Sequence, residues 1–223
     1  MSAIELVIFD IAGTLIEDHN EVADAFLHAL RNNGLEVGDD EIKEWKGSSK
    51  REVIRHFVER QFGKCRNEPL VEQTYSEFRF RLEQSYTTGG IVPIQGAVET
   101  LALIRQRGLK LATTTGFYRE VRDRILDKLN WRDKFDVHIC SDDVEHGRPA
   151  PDMIFAAMKL TGVLDPAKIC TVGDTPLDLQ SGTAARCGMV VGVLTGMHTP
   201  ERLKREPHTH LLGSVAELPP PLG

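Results

Sequence analysis

The chain has 223 residues, 41% of them hydrophobic, enough for one large α/β domain or a core domain with a modest insertion. Lysine and arginine (27) against aspartate and glutamate (33) leave a formal net charge of −6 and no basic stripe, which argues against nucleic acid as a partner. No apolar run approaches the roughly 20 residues of a membrane helix, and no basic stretch followed by an apolar one opens the chain, so neither a membrane partner nor a signal peptide is expected.

The run Glu5-Leu6-Val7-Ile8-Phe9 reads as a buried strand that opens into the turn Asp10-Ile11-Ala12-Gly13-Thr14. Asp10 thus stands at a strand's carboxyl end, where an open α/β sheet binds ligands. A carboxylate there can hold a metal, attack an electrophile, or both.

From Leu15 to Ile94 the pattern is wholly helical. Val22, Ala25, Phe26, Ala29 and Leu30 form one apolar stripe; Val53, Ile54, Phe57, Val58 and Phe62 form a second; Tyr75, Phe78, Leu82 and Tyr86 form a third. Gly89-Gly90 and Pro93 mark the return linker, a candidate hinge. Residues 16–91 are therefore expected to form an all-helical insertion after the first strand, with 1–15 and 92–223 forming the core.

Beyond the insertion, helices and strands alternate. Strands are expected over Leu109–Thr115, Phe135–Ser141, Lys168–Asp174 and Met189–Leu194. Gly96 to Arg107 carries Val98, Leu101, Ala102 and Ile104, with Gly108 suited to the stop; Tyr118 to Leu129 carries Val121, Ile125 and Leu129. Pro151 starts a helix with Ile154, Phe155 and Met158 on its apolar face and Gly162 at its end; Pro176 to Cys187 ends at Gly188. This alternation means a doubly wound, Rossmann-like parallel sheet covered on both faces. Cys140 and Cys170 lie in strand-like runs and read as small core residues, no CxxC pair includes them or Cys65 or Cys187, and a reducing cytoplasm is the expected location. His208 and His210 read as tail residues, and 219–223 as a loose end.

Four polar clusters follow four apolar strands: Asp10 to Thr14, Thr113-Thr114-Thr115-Gly116, Gly147-Arg148-Pro149, and Gly173-Asp174-Thr175-Pro176-Leu177-Asp178. A doubly wound sheet brings all four to one crevice, where Asp10 and Asp174 face each other. Two close carboxylates repel and resist burial; a divalent cation removes the conflict, and Mg²⁺ favours oxygen ligands. Thr115 can donate to an anionic oxygen, Arg148 can neutralise developing charge, and Asp178 can hold a metal-bound water or orient Arg148. Taken singly, each cluster has a plain structural reading as a turn, a β-former, an ion pair or a helix cap. Four of them in this order are hard to explain by capping.

With these clusters the chain resembles the haloacid dehalogenase superfamily of phosphohydrolases, from Ile4 to about Leu194. The resemblance implies that the helical insertion is a small cap, and that Asp10 is a nucleophile forming an aspartyl-phosphate. It implies Mg²⁺ held by the Asp10 and Asp174 carboxylates and the Ala12 backbone carbonyl, with Asp178 behind them and Thr14 and Gly116 binding substrate. Ordinary phosphatases of the superfamily carry a second aspartate where this chain has Ala12. That acid protonates the leaving alcohol, a contribution of about 10²–10⁴-fold.

The phosphonatase (phosphonoacetaldehyde hydrolase) branch carries alanine there and cleaves a carbon–phosphorus bond through a cap lysine that condenses with the aldehyde. Gly47-Ser48-Ser49-Lys50 supplies the Gly-x-x-Lys pattern, and Thr115-Gly116-Phe117 and Gly147-Arg148-Pro149 are similar to that branch. The chain departs from it at Ile11, Lys46, Val53 and Phe117, where the branch favours Trp, Met, His and Tyr. Lys50 is read as the Schiff-base amine, against a clamp for an anionic group or a solvated helix start. The expected substrate is a small phosphonate. The alternatives are a phosphomonoesterase similar to phosphoglycolate phosphatases and, more remotely, a non-catalytic phosphate-binding module. The cap is also where a homodimer could form.

Overall fold

The computed structural model describes residues 3–43, 45, 48–63 and 67–218. Lys46, Gly47, Cys65 and the segment 219–223 lie outside the described residues. The chain divides into two compact units, one of Met1–Asp18 with Ile91–Gly223 and one of His19–Gly90.

The first unit begins with β1 (Leu6–Phe9), four fully buried apolar residues. The second unit follows with α1 (Glu21–Asn32), α2 (Asp39–Lys43), α3 (Lys50–Phe62) and α4 (Glu68–Thr88). The chain then returns through α5 (Ala97–Gln106), β2 (Lys110–Thr115), α6 (Arg119–Leu129), β3 (Val137–Cys140), α7 (Asp152–Thr161), β4 (Ile169–Gly173), α8 (Pro176–Ala184), β5 (Met189–Val193), α9 (Pro200–Leu203) and β6 (His210–Leu212).

The six strands form one sheet in the order β3-β2-β1-β4-β5-β6, and every pairing is parallel. The order reverses between β1 and β4, so the crevice at their carboxyl ends is the topological switch point of the sheet. Leu6 and Ile8 face one side of β1, where they join Ala112, Ile139, Met153, Ile154 and Ala157 in a core under α7. Cys140 and Cys170 are buried in that sheet as free thiols, as their strand-like settings predict. Among the described residues no helix is long and apolar enough to cross a membrane.

The helical unit packs α1 against α4 and α3 against α4. Phe26 of α1 stacks on Phe78 of α4 with ring centroids 4.3 Å apart, a pairing worth ~1 kcal/mol beyond its burial.

Several expected apolar faces differ from those observed. Phe62, Val98 and Phe155 are 51%, 38% and 46% exposed. Phe62 is the last residue of α3, and in the other two helices different residues take the core positions: α5 buries Ala97 and Thr100 with Leu101 and Ile104, and α7 buries Met153 and Ala157 with Ile154 and Met158. In α4 the third stripe buries Val71 and Thr74, while Tyr75 is half-buried beneath the Arg51 guanidinium, 4.6 Å from its centroid. Gly108 and Gly162 take the left-handed conformation expected of helix stops, but α8 ends earlier than Gly188, at Ala184, and Arg186 (φ 59°) makes the left-handed turn. His210 is not a tail residue. It opens β6, which pairs with β5 from Val191↔His210 to Val193↔Leu212.

Candidate active site

Asp10 leaves β1 with its N–H still donating to Val172 of β4 at 2.9 Å, which aims the turn over the switch point. Ile11, fully buried, then anchors a tight turn by accepting from the N–H groups of Thr14, Leu15 and Ile16 at 3.3, 2.8 and 3.0 Å. Gly13 has φ 86°, and a Cβ there would stand 2.5 Å from Asp174 Oδ2. Only glycine meets both demands, left-handed backbone and close approach of a carboxylate. Thr14, buried, donates its hydroxyl to Asp174 Oδ1 at 3.2 Å.

Asp174 follows β4. The sequence around it also reads as a helix cap, and the structure separates the two roles. The capping residue of α8 is Thr175: its hydroxyl accepts from the Asp178 N–H at 3.2 Å while Asp178 Oδ2 accepts from the Thr175 N–H at 3.0 Å. Asp174 is thereby left to the site. Asp178 keeps its other oxygen for Arg148, 2.8 Å away.

Arg148 Nη1 also donates to Asp10 Oδ1 at 2.7 Å, and Nη2 donates to the Thr114 carbonyl at 2.9 Å and its hydroxyl at 2.8 Å. The guanidinium is therefore fixed on three elements at once, the ends of β1 and β2 and the start of α8. Thr115, buried at the end of β2, accepts from the Phe117 N–H at 3.2 Å, which leaves its own proton to donate.

Carboxylate oxygens of Asp10, Asp174 and Asp178 lie within 4.8 Å of one another, and all three residues are buried. Together with Arg148 their ionised charges sum to −3 + 1 = −2. Burial pushes the Asp10 carboxyl up to about 7; Arg148 opposes that rise, and Asp178 and Asp174 reinforce it. Burial works against the Arg148 cation, but Asp178 and Asp10 outweigh it and raise its pKa. Excess negative charge on clustered oxygens, relieved by a cation, is the donor chemistry of a Mg²⁺ site. The residues present fit that ion, with Asp10, Asp174 and the buried Ala12 as the candidate ligands.

Lys50 belongs to the helical unit. It is the first residue of α3, is 6% exposed, and donates from Nζ to the Ser48 carbonyl at 3.1 Å. Of the positions that depart from the phosphonatase pattern, Val53 and Phe117 are buried apolar residues. His56 is exposed, its ring centroid 4.5 Å from that of Trp45 and tilted 40° to it.

Sequence reasoning passed over three residues of this crevice. Thr114 holds Arg148, although its β-branched side chain reads as a strand former. Thr195 donates to the Gly13 carbonyl at 2.6 Å, and a Cβ on Gly196 would collide with the Asp174 carboxylate. The only signal for the last two is a Thr-Gly pair after an apolar strand, the same form as Thr115-Gly116.

A family model described as haloacid dehalogenase-like hydrolase matches residues 7–192. A phosphonoacetaldehyde hydrolase from Bacillus cereus is 34% identical over 209 residues, 86% of this chain and 76% of that protein. Among solved structures, a phosphonoacetaldehyde hydrolase-like protein from Oleispira antarctica superposes with a TM-score of 0.86 at 22% identity, covering 99% of this chain and 92% of that one. A protein described as a predicted phosphoglycolate phosphatase from Haemophilus somnus does so with a TM-score of 0.81 at 21% identity, covering 98% and 97%. The parallel sheet, the acids at its switch point and these likenesses agree: the chain is an enzyme of the haloacid dehalogenase-like hydrolase family.

Proposed function

We propose that this enzyme is a Mg²⁺-dependent, phosphonatase-like hydrolase of the cytoplasm that cleaves the carbon–phosphorus bond of phosphonoacetaldehyde or a closely related phosphonate, with the helical unit as its cap. The observation that carries the reading is Ala12. The turn that presents Asp10 has no proton donor at the position where a phosphomonoesterase needs one, so the leaving group must depart without an acid there. The 34% identity to a phosphonoacetaldehyde hydrolase supports the same reading.

Asp10, Asp174 and the Ala12 carbonyl are the groups proposed to hold the metal, which when bound supplies positive charge to offset that of the carboxylates and the phosphonate. The Lys50 amine adds to the aldehyde carbon, water leaves, and a protonated imine forms. The step requires the free amine of Lys50, the buried first residue of α3. With Arg148 on Oδ1, Asp10 presents Oδ2 to phosphorus. The oxygen–phosphorus bond forms as the carbon–phosphorus bond breaks, and its electron pair enters the iminium to give an enamine. Thr115 donates to a phosphoryl oxygen, and the Thr14 and Gly116 segments line its path. The enamine takes a proton at carbon, and water releases the aldehyde from Lys50. A second water cleaves the acyl-phosphate, returning Asp10 and inorganic phosphate.

Borohydride reduction of the enzyme mixed with phosphonoacetaldehyde and Mg²⁺ tests this. The expected product is a substrate-derived mass adduct on the Lys50 peptide with loss of turnover, and none on Lys50→Arg. Intact turnover without an adduct eliminates the imine route.

A further inference from the structure

Thr195 and Gly196 follow β5, outside the four clusters that define the site. Their geometry is nonetheless directed at it. Asp174 sits between two glycine backbones: a Cβ on Gly13 would stand 2.5 Å from Oδ2, and one on Gly196 would overlap the same carboxylate. The Thr14 hydroxyl donates to the other oxygen, Oδ1, at 3.2 Å. The two glycine segments are 182 positions apart, and they are joined by the hydrogen bond from Thr195 Oγ1 to the Gly13 carbonyl, 2.6 Å long and partly buried.

We propose that Thr195 is a positioning residue that closes this cradle, holding the Ala12-Gly13 turn and Asp174 in the arrangement that receives the cation. The physical reason is the mobility of a short turn. Gly13 has backbone freedom that other residues lack, and Ala12 offers a backbone oxygen whose direction is set by the turn rather than by a side chain. A bond on the next carbonyl along removes that freedom at its source. A bond to a group that orients a metal ligand typically governs about 10–100-fold in metal affinity. Gly196 has a matching part. Its missing side chain is the space that the Asp174 carboxylate fills, so the loop after β5 both ties and shapes the site.

The inference rests on the Mg²⁺ reading given above, and one titration separates the two. The melting temperature of the protein is followed against Mg²⁺ alone, from a metal-free start in chelator. Mg²⁺ stabilises the wild type through its binding free energy. Thr195→Val keeps the shape and removes the hydroxyl. Its half-maximal stabilisation is expected at ~10-fold or more higher Mg²⁺, with Thr195→Ser close to wild type. Gly196→Ala is expected to lose the Mg²⁺ response. Should Thr195→Val melt lower in chelator yet respond to the same Mg²⁺ concentrations as wild type, the hydroxyl is a fold contact and the inference fails while the Mg²⁺ reading stands. A wild type that shows no Mg²⁺ response sinks both.

Discussion

Among the described residues the two units differ in the polar groups they bury. In the sheet unit, Asp10, Asp174, Asp178, Arg148, Thr14 and Thr115 are all buried, while pairs such as Arg132 with Asp127 and Lys168 with Glu5 are exposed. In the helical unit the charged pairs are largely exposed: Arg31 with Asp39, Arg55 with Glu68, and Arg51 with Glu72. Exposed pairs contribute about 0–1 kcal/mol each and are screened by salt, whereas breaking a buried one costs roughly 3–5 kcal/mol. The buried cluster of acids and their arginine therefore belongs to the sheet unit. Among the described residues Lys50 is the exception, a buried basic residue in a unit whose ion pairs are largely exposed.

That contrast can be broken at four points. Asp10→Asn should abolish phosphate release, a loss of roughly 10⁴–10⁶-fold for a nucleophile; residual turnover near wild type would place the chemistry elsewhere. Ala12→Asp restores the acid that the turn lacks. Hydrolysis of alkyl phosphates should rise by about 10²–10⁴-fold relative to phosphonate cleavage, read from the ratio of kcat/KM values for the two substrates. No change in that ratio would remove Ala12 as the selector of the reaction.

Arg148→Leu leaves Asp10 and Asp178 buried without their shared cation. Urea denaturation in chelator should show a loss of about 3–5 kcal/mol, against about 0–1 kcal/mol for Arg55→Leu in the helical unit. Equal effects would erase the distinction between the units.

The last and smallest effect is pH dependence. The Asp10 carboxyl rises from 3.8 to about 7 on folding, so between those values the folded chain binds the extra proton. Metal-free stability is accordingly highest below pH 4 for this group and falls as pH rises toward 7, by at most ~4 kcal/mol. Chelator-treated protein melted across that range should show the decline, Asp10→Asn should flatten it, and Mg²⁺ should reverse it at pH 8. A wild-type curve parallel to that of Asp10→Asn would show the carboxyl to be ionised throughout.

Much of this site is legible in the sequence because three of its components stand at or just after the end of an apolar run. Asp10, Thr115 and Asp174 are strand-end residues, and strand alternation with helices forces a parallel sheet whose carboxyl ends converge. The faces of the helices were less legible. Val98 and Phe155 are apolar at helical spacing, yet Ala97 and Ala157 of the same helices are the residues buried, since packing rewards fit and not hydrophobicity alone. The strand β6 has three residues, His210-Leu211-Leu212, too few to show a period.

Local residue order alone determined the sheet class, the helical insertion and the presence of an acid without its usual partner acid, because each depends on short-range pattern or on residue identity. Only the tertiary structure decided that Thr175 caps α8 and leaves Asp174 to the site, that Asp178 and Thr114 both hold Arg148, and that Thr195 and Gly196 reach back to a turn 182 positions earlier. Those choices depend on which groups burial brings within hydrogen-bonding distance, and that distance is set by the order of strands in the sheet rather than by their order in the chain.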